Sequence, residues 1–223
     1  MKRLFHWPLD PLARTVRLVL GEKGLDAALE LSLPWAPNPE VSRLAHGAVS
    51  PALVDQGGHG RVVTAGPQAI CEYLEDEGGT RLLPLGPQDK AEARRLWRWC
   101  EDAFSDVNAS LLTERVSQWI RRDRQPDSTR LRKGSHALRG RMTFLNALCE
   151  ERNYLAGRHL SIADLSAAAH LSAYDYFGDV PRENAPDLRE WYARIKSRPS
   201  FRPLLSDRVD GARPAKHYAD LDF

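Results

Sequence analysis

Reactive side chains are sparse in this 223-residue chain, and their spacing permits few kinds of chemistry. The three cysteines, Cys71, Cys100 and Cys149, lie far apart with no C-x-x-C pair. That spacing excludes a disulfide scaffold, a zinc site and a dithiol oxidoreductase. The seven histidines show no metal-ligand spacing, so no metal is expected. Two prolines mark more promising places. Ser50-Pro51 introduces the apolar run Ala52-Leu53-Val54, and an X-Pro bond entering a strand is one of the few places where a cis peptide is plausible. A cis peptide there turns backbone groups outward, toward a ligand. Ala65-Gly66-Pro67 then opens a helix, whose N-terminal amides can attract an anion. Ser161-Ile162-Ala163-Asp164 pairs a hydroxyl with an acid three residues on. Those two side chains satisfy orphan amides reciprocally, worth about 1 kcal/mol per cap, which makes Ser161 and Asp164 folding residues.

The elements that must position these groups change period near residue 80. Leu4 to Trp7 reads as a short strand ending at Pro8, and Asp10-Pro11 opens a helix with Asp10 at the N-cap. That helix carries Val16, Leu18, Val19 and Leu20 and stops at Gly24. Leu29 to Leu33 alternates as a half-buried strand, and the Pro-rich loop Pro34 to Pro39 comes next. Ala52 to Val54 and Arg61 to Thr64 flank Gly57-Gly58 as a hairpin, and a helix from Pro67 to Glu77 closes a βαβ-ββα unit. Beyond a Pro/Gly linker the pattern is helical. Leu96, Cys100, Phe104, Val107, Leu111 and Trp119 predict one face of a long helix, and Leu138, Met142, Leu145 and Leu148 a second. Ile162 to Tyr176 predicts a central third helix, and Leu188, Trp191 and Ile195 a fourth, stopped at Arg198-Pro199.

Net charge is +2, so no global field points to nucleic acid. Locally, nine basic residues against three acids between Glu114 and Arg141 predict an exposed, partly disordered helix-helix connection or a docking surface for an acidic partner. No apolar run approaches the roughly 20 residues that span a bilayer. The opening Met1 to Pro8 is too short and interrupted for a signal peptide, and a soluble, reduced, cytoplasmic protein is expected.

Several of these segments together resemble the glutathione transferase superfamily. Leu4 to Arg17 is similar to its first strand and helix, Val49-Ser50-Pro51-Ala52-Leu53 to its cis-proline strand, and Ala69 to Leu74 to its third helix. Ser161 to Asp164 resembles its capping box, and Arg198-Pro199-Ser200-Phe201 its C-terminal helix ending. The resemblance implies an α/β thioredoxin-like N-terminal domain over 1–80, a linker over 81–88, an all-helical C-terminal domain over 89–205 and a tail over 206–223. It also implies a homodimer.

In that family a hydroxyl or thiol near the start of the first helix activates the glutathione sulfur. The matching positions are Asp10 and Ala13. Alanine donates nothing, and an ionised Asp10 beside a thiol raises the thiol pKa. One unit upward cuts the reactive thiolate at neutral pH about tenfold, roughly 1.4 kcal/mol. Thr15, the nearest hydroxyl, lies one turn further on. Where the family has an acid followed by Ser to clamp the γ-glutamyl end, this chain has Ala65 and Gly66, so the charge partner and the hydroxyl are gone. Ser50 and Pro51 remain able to pair with a peptide backbone, and Gly66 keeps its amide. The expectation is a fold retained and a chemistry lost, with no cofactor. The alternative is an active transferase that conjugates glutathione to small electrophiles.

The tail is the segment the family pattern leaves over. After the polar stretch Ser206 to Lys216 come His217-Tyr218-Ala219-Asp220-Leu221-Asp222-Phe223. Tyr218, Leu221 and Phe223 could anchor in a partner's pocket while Asp220 and Asp222 set orientation; alternatively the tail folds back onto its own helices or stays disordered. Trp35, flanked by prolines, is a second candidate contact or a lid over the interdomain groove. The tail, the Phe5 to Pro11 opening and Tyr176 to Pro181 resemble a narrower branch, the FzlA-type transferase homologues of alphaproteobacteria. That resemblance implies binding to the tubulin-like protein FtsZ at the division site.

Overall fold

The computed structural model describes residues 1–44, 49–57, 60–181 and 185–221. The expected turn residue Gly58 and the tail residues Asp222 and Phe223 lie outside the described residues. Four strands, β1 (Lys2–His6), β2 (Ala27–Leu31), β3 (Ala52–Gly57) and β4 (Gly60–Ala65), form a mixed sheet in the order β2-β1-β3-β4. β1 pairs parallel to β2 and antiparallel to β3, which sets Leu4 opposite Leu53. Alternation then sends Leu4 and Leu53 to the face covered by helices, while Phe5, Ala52 and Val54 pack on the other face under Val41. Val41 comes from the short helix α2 (Pro39–Leu44), which the Pro-rich sequence did not announce.

The helix α1 (Pro11–Lys23) begins as expected. Asp10 caps it, Pro11 fills its first turn, and Gly24 ends it in the left-handed region at φ 64°. The expected alternation of the second strand holds only in part. Its bounds shift to Ala27–Leu31, and the leucines Leu29 and Leu31 are 48% and 57% exposed. β2 is the sheet's edge strand, and Leu29, opposite Leu4 on the helix side, lies at the rim of the helical cover.

After α3 (Pro67–Asp76), the chain enters α4 (Pro87–Val107). The helical path continues through a π-helical turn at Asn108–Leu112, a short α5 (Thr113–Arg115) and a second π-helical turn at Val116–Arg121. These turns correct the long-helix expectation. Each i→i+5 bond adds a residue to the turn and rotates the chain beyond it. Leu111 stays buried, but Trp119 swings out to 47% exposure. α6 (Ser128–Glu151), α7 (Ile162–Tyr176), α8 (Pro186–Lys196) and α9 (Arg202–Leu205) complete the helical part, with a 3₁₀ turn at Pro199–Phe201. Every residue of α7 is buried, and α1 packs on it as the main contact between sheet side and helical side.

The basic segment is helical up to Arg121 and from Ser128 on, with an ordered connection over 122–127 between. Arg124 and Arg130 both bind the fully buried carboxylate of Glu114, and the Asp127 amide donates to it at 2.9 Å. Arg115 bridges to Asp179, and Arg141 to Asp106. Much of the apparent excess charge is thus used in joining turns. The capping box forms as read, and Asp164 does more than cap. Its buried carboxylate also accepts from the Leu155 amide at 2.8 Å and Trp191 Nε1 at 2.9 Å.

Candidate functional site

The end of the sheet brings Ser50, Pro51, Ala65 and Gly66 together. The Ser50–Pro51 bond is cis, as the sequence suggested. Ala52 pairs with Ala65 in the β3–β4 register, and the Gly66 amide donates to the Pro51 carbonyl at 2.9 Å. The Ser50 hydroxyl donates to the Phe5 carbonyl at 3.1 Å. This corrects one expectation: the Gly66 amide is engaged within the fold and is not offered to an anion. Gly66 sits at φ 85°, a conformation L side chains rarely adopt, so a serine there would be strained.

Asp10 and Ala13, the positions matched to the thiol activator, diverge. Ala13 is fully buried in the core. Asp10 caps α1, with Oδ1 accepting from the Leu12 amide at 3.1 Å. Burial raises its carboxyl to about pKa 6, outweighing the Leu12 and Ala13 amides and the Arg14 charge that favour ionisation. It is mostly ionised at neutral pH and so opposes a neighbouring thiolate. The Thr15 hydroxyl turns back to the Pro11 carbonyl at 3.0 Å and faces no ligand.

Asp10 lines a groove of about 590 Å³ between the sheet side and the π-helical turns. One wall is Trp7, Leu12 and Trp35; the other is Asn108, Ala109, Leu112, Thr113, Val116, Ser117 and Arg121. Trp7 and Trp35 meet edge to face at 5.4 Å, and the Arg121 guanidinium lies 5.8 Å from the Trp35 ring centre. Trp35 therefore walls the groove, half-buried, in place of standing free in a loop. Sequence reasoning missed the opposite wall. The signal was weak, because Val107, Leu111 and Leu112 fit an ordinary helix face as well as a π turn.

The tail is anchored at Tyr218. Its ring is 1% exposed, and its hydroxyl accepts from Arg14 Nη1 at 2.8 Å and donates to the Leu204 carbonyl at 3.0 Å. Arg14 itself is fully buried, donating also to the Pro8 carbonyl at 2.6 Å and to Ser172 at 2.8 Å. Asp207 receives both Arg14 and Arg17, and the Ala215 amide pins the tail to the Tyr176 carbonyl at 2.8 Å. Tyr218 cannot touch a partner without leaving this core, so its expected role as a docking anchor gives way to one of closing the fold. The stretch 206–216 is likewise tied down. Asp220 and Leu221 stay exposed, Leu221 at 45%.

Among the described residues no group of three or more His, Cys, Asp or Glu could hold a metal, and no helix is long and apolar enough to cross a membrane. The cysteines are poor nucleophiles: burial raises Cys71 well above its usual range, and Cys149 to about 12.

Comparison with known proteins places this geometry. The glutathione S-transferase N-terminal domain family matches residues 11–77, and the corresponding C-terminal domain family matches residues 115–208. The FtsZ-localized protein A of Caulobacter vibrioides is 43% identical over 224 residues, spanning 100% of this chain and 98% of that protein. The solved structure of FzlA from C. crescentus superposes with a TM-score of 0.94 at 42% identity, covering 100% and 99% of the two chains. A glutathione S-transferase from Rhodospirillum rubrum F11 superposes at 0.89 with 39% identity over 100% of both. With its sheet half and its helical half each matched, and whole-length relatives on both counts, the chain belongs to the glutathione S-transferase family.

Proposed function

We propose that this protein is a non-catalytic, FtsZ-binding cell-division factor built on a transferase fold, acting as a cytoplasmic homodimer at the division site. The observation that carries this reading is the 43% identity, over 100% of this chain and 98% of the relative, to a protein named for its localisation with FtsZ. The altered glutathione site supports it. Ala65 offers no charge, Gly66 no hydroxyl and an engaged amide, and Asp10 no proton donor suited to stabilising a thiolate. Trp35, Asp220 and Leu221 are the partner-facing candidates among the described residues. The dimer reading draws on the aromatic pair Trp99 and Phe144, whose rings lie 4.2 Å apart on the outer side of α4 and α6 with Phe144 36% exposed.

Co-sedimentation with polymerised FtsZ tests the proposal. Intact protein should pellet with filaments; failure to do so removes the reading. A second reading, glutathione conjugation to small electrophiles, is favoured by the intact cis Ser50–Pro51 strand entrance and by the Rhodospirillum transferase of similar structure. Micromolar glutathione binding together with turnover of chlorodinitrobenzene would establish it over the first.

A further inference from the structure

The groove holds an anion without a counter-ion. The Asp10 carboxylate makes no ion pair among the described residues, and it accepts a hydrogen bond from the Leu12 amide. Among the described lining groups only one other is charged, Arg121, and Asp123 offsets that charge at 2.8 Å. Arg14 acts on Asp10 from behind, but its own guanidinium points away to Pro8, Ser172, Tyr218 and Asp207. The remaining polar lining groups, Asn108, Thr113 and Ser117, are neutral.

Two indoles line the same groove, Trp7 almost fully buried and Trp35 partly exposed. Aromatic faces attract cations through the ring quadrupole, and indole does so best. The Arg121 guanidinium, already 5.8 Å from the Trp35 ring centre, shows that this surface accepts a cation. At about 590 Å³ the space suits a small molecule, not merely a water cluster.

We propose that the groove is a binding site for a small organic cation, a quaternary or alkyl ammonium seated against the exposed part of Trp35, which Trp7 backs, with its charge facing the Asp10 carboxylate. The occupant differs in kind from an electrophile awaiting a thiolate. It needs no reactive centre, and Asp10, an obstacle to thiolate chemistry, becomes the group that selects the ligand. The inference rests on the groove alone and is independent of any FtsZ contact.

Choline and its uncharged isostere 3,3-dimethylbutan-1-ol, which has carbon in place of nitrogen, are the probes. Each is titrated into the full chain while the indole N–H signals of Trp7 and Trp35 are followed. Choline should shift both indoles and bind at least tenfold tighter than the alcohol. Asp10→Asn keeps a competent helix cap, so the variant should fold, and it should lose about tenfold in choline affinity with the alcohol unchanged. Arginine side chains keep their charge across the acid range. Choline binding should therefore weaken about tenfold from pH 7 to pH 5 as Asp10, with its carboxyl at about 6, takes up a proton. Equal affinity for the two probes, no effect of Asp10→Asn, or no indole shift with choline each overturns the proposal.

Discussion

The neighbourhood of the cis-proline strand contrasts with the seam where α1 meets the helical part. At the sheet end, the Gly66 amide meets the Pro51 carbonyl and the Ser50 hydroxyl the Phe5 carbonyl, and Ala65 and Gly66 add no charged or hydroxyl side chain. At the seam, charges are concentrated: Arg14 is fully buried, Asp207 is shared by two arginines, and Tyr218 closes over them. Ala65 and Gly66 bring no polar side chain to the sheet end, while the interior between the two halves holds many. A buried guanidinium needs every donor met. Side-chain substitution at Ala65 should therefore cost little, and at the seam much.

The sharpest way to break this contrast is Arg14→Met. It leaves the Pro8 carbonyl and Ser172 without their donor, and should cost about 3–5 kcal/mol. For a chain of this size that is a melting-point drop on the order of 10 °C. A drop of only a degree or two would mean the seam is decorative. Tyr218→Phe keeps the ring and removes the hydroxyl bridging Arg14 and Leu204, for an expected loss of about 1–3 kcal/mol by chemical denaturation.

The interior also predicts a pH dependence. Burial lowers His170 from 6.5 to about 4, so it stays neutral in the fold and ionises more readily once unfolded. Its contribution is complete above pH 6.5 and declines as pH falls toward 4. Glu101 and Asp10, raised by burial to about 7 and about 6, act in the opposite sense over this window. Comparing His170→Asn with the parent isolates the histidine: the variant's stability change from pH 7 to pH 5 should omit a loss of about 2 kcal/mol. Identical slopes would show that His170 ionises in place.

Two smaller effects probe the sheet end and the tail. Gly66→Ser should lower stability by about 1–2 kcal/mol because of its backbone conformation, whereas Ala65→Glu should be nearly neutral in stability. Micromolar glutathione binding gained by Ala65→Glu alone in calorimetry would show that an acid at this position is what glutathione binding requires. Removing residues 220–223 keeps Tyr218 and should change stability by no more than about 0.5 kcal/mol while weakening FtsZ co-sedimentation. Unchanged pelleting would take the tail end out of the partner surface.

What the sequence disclosed divides by distance along the chain. Asp10 before Pro11, Ser161 before Asp164 and Ser50 before Pro51 act on neighbours within a turn, and each is found as read. Arg14 and Tyr218 are separated by 204 positions, and nothing local in either marks the other. The leucines of β2 disclosed a strand period but not which face the fold would cover. The π turns escaped because one inserted residue per turn leaves apolar spacing nearly unaltered until Trp119.

The contact between Arg14 and Tyr218 also has a bearing on time. A ribosome adds about 5–20 residues per second, so with 204 positions between them the guanidinium exists for roughly 10–40 s before its phenol is made. During that interval the guanidinium already has the Pro8 carbonyl beside it and later gains Ser172 and Asp207, but it lacks the phenol that covers it. Docking of α1 on α7 can thus begin before residue 218 exists, and Tyr218 closes a seam whose other contacts are already available.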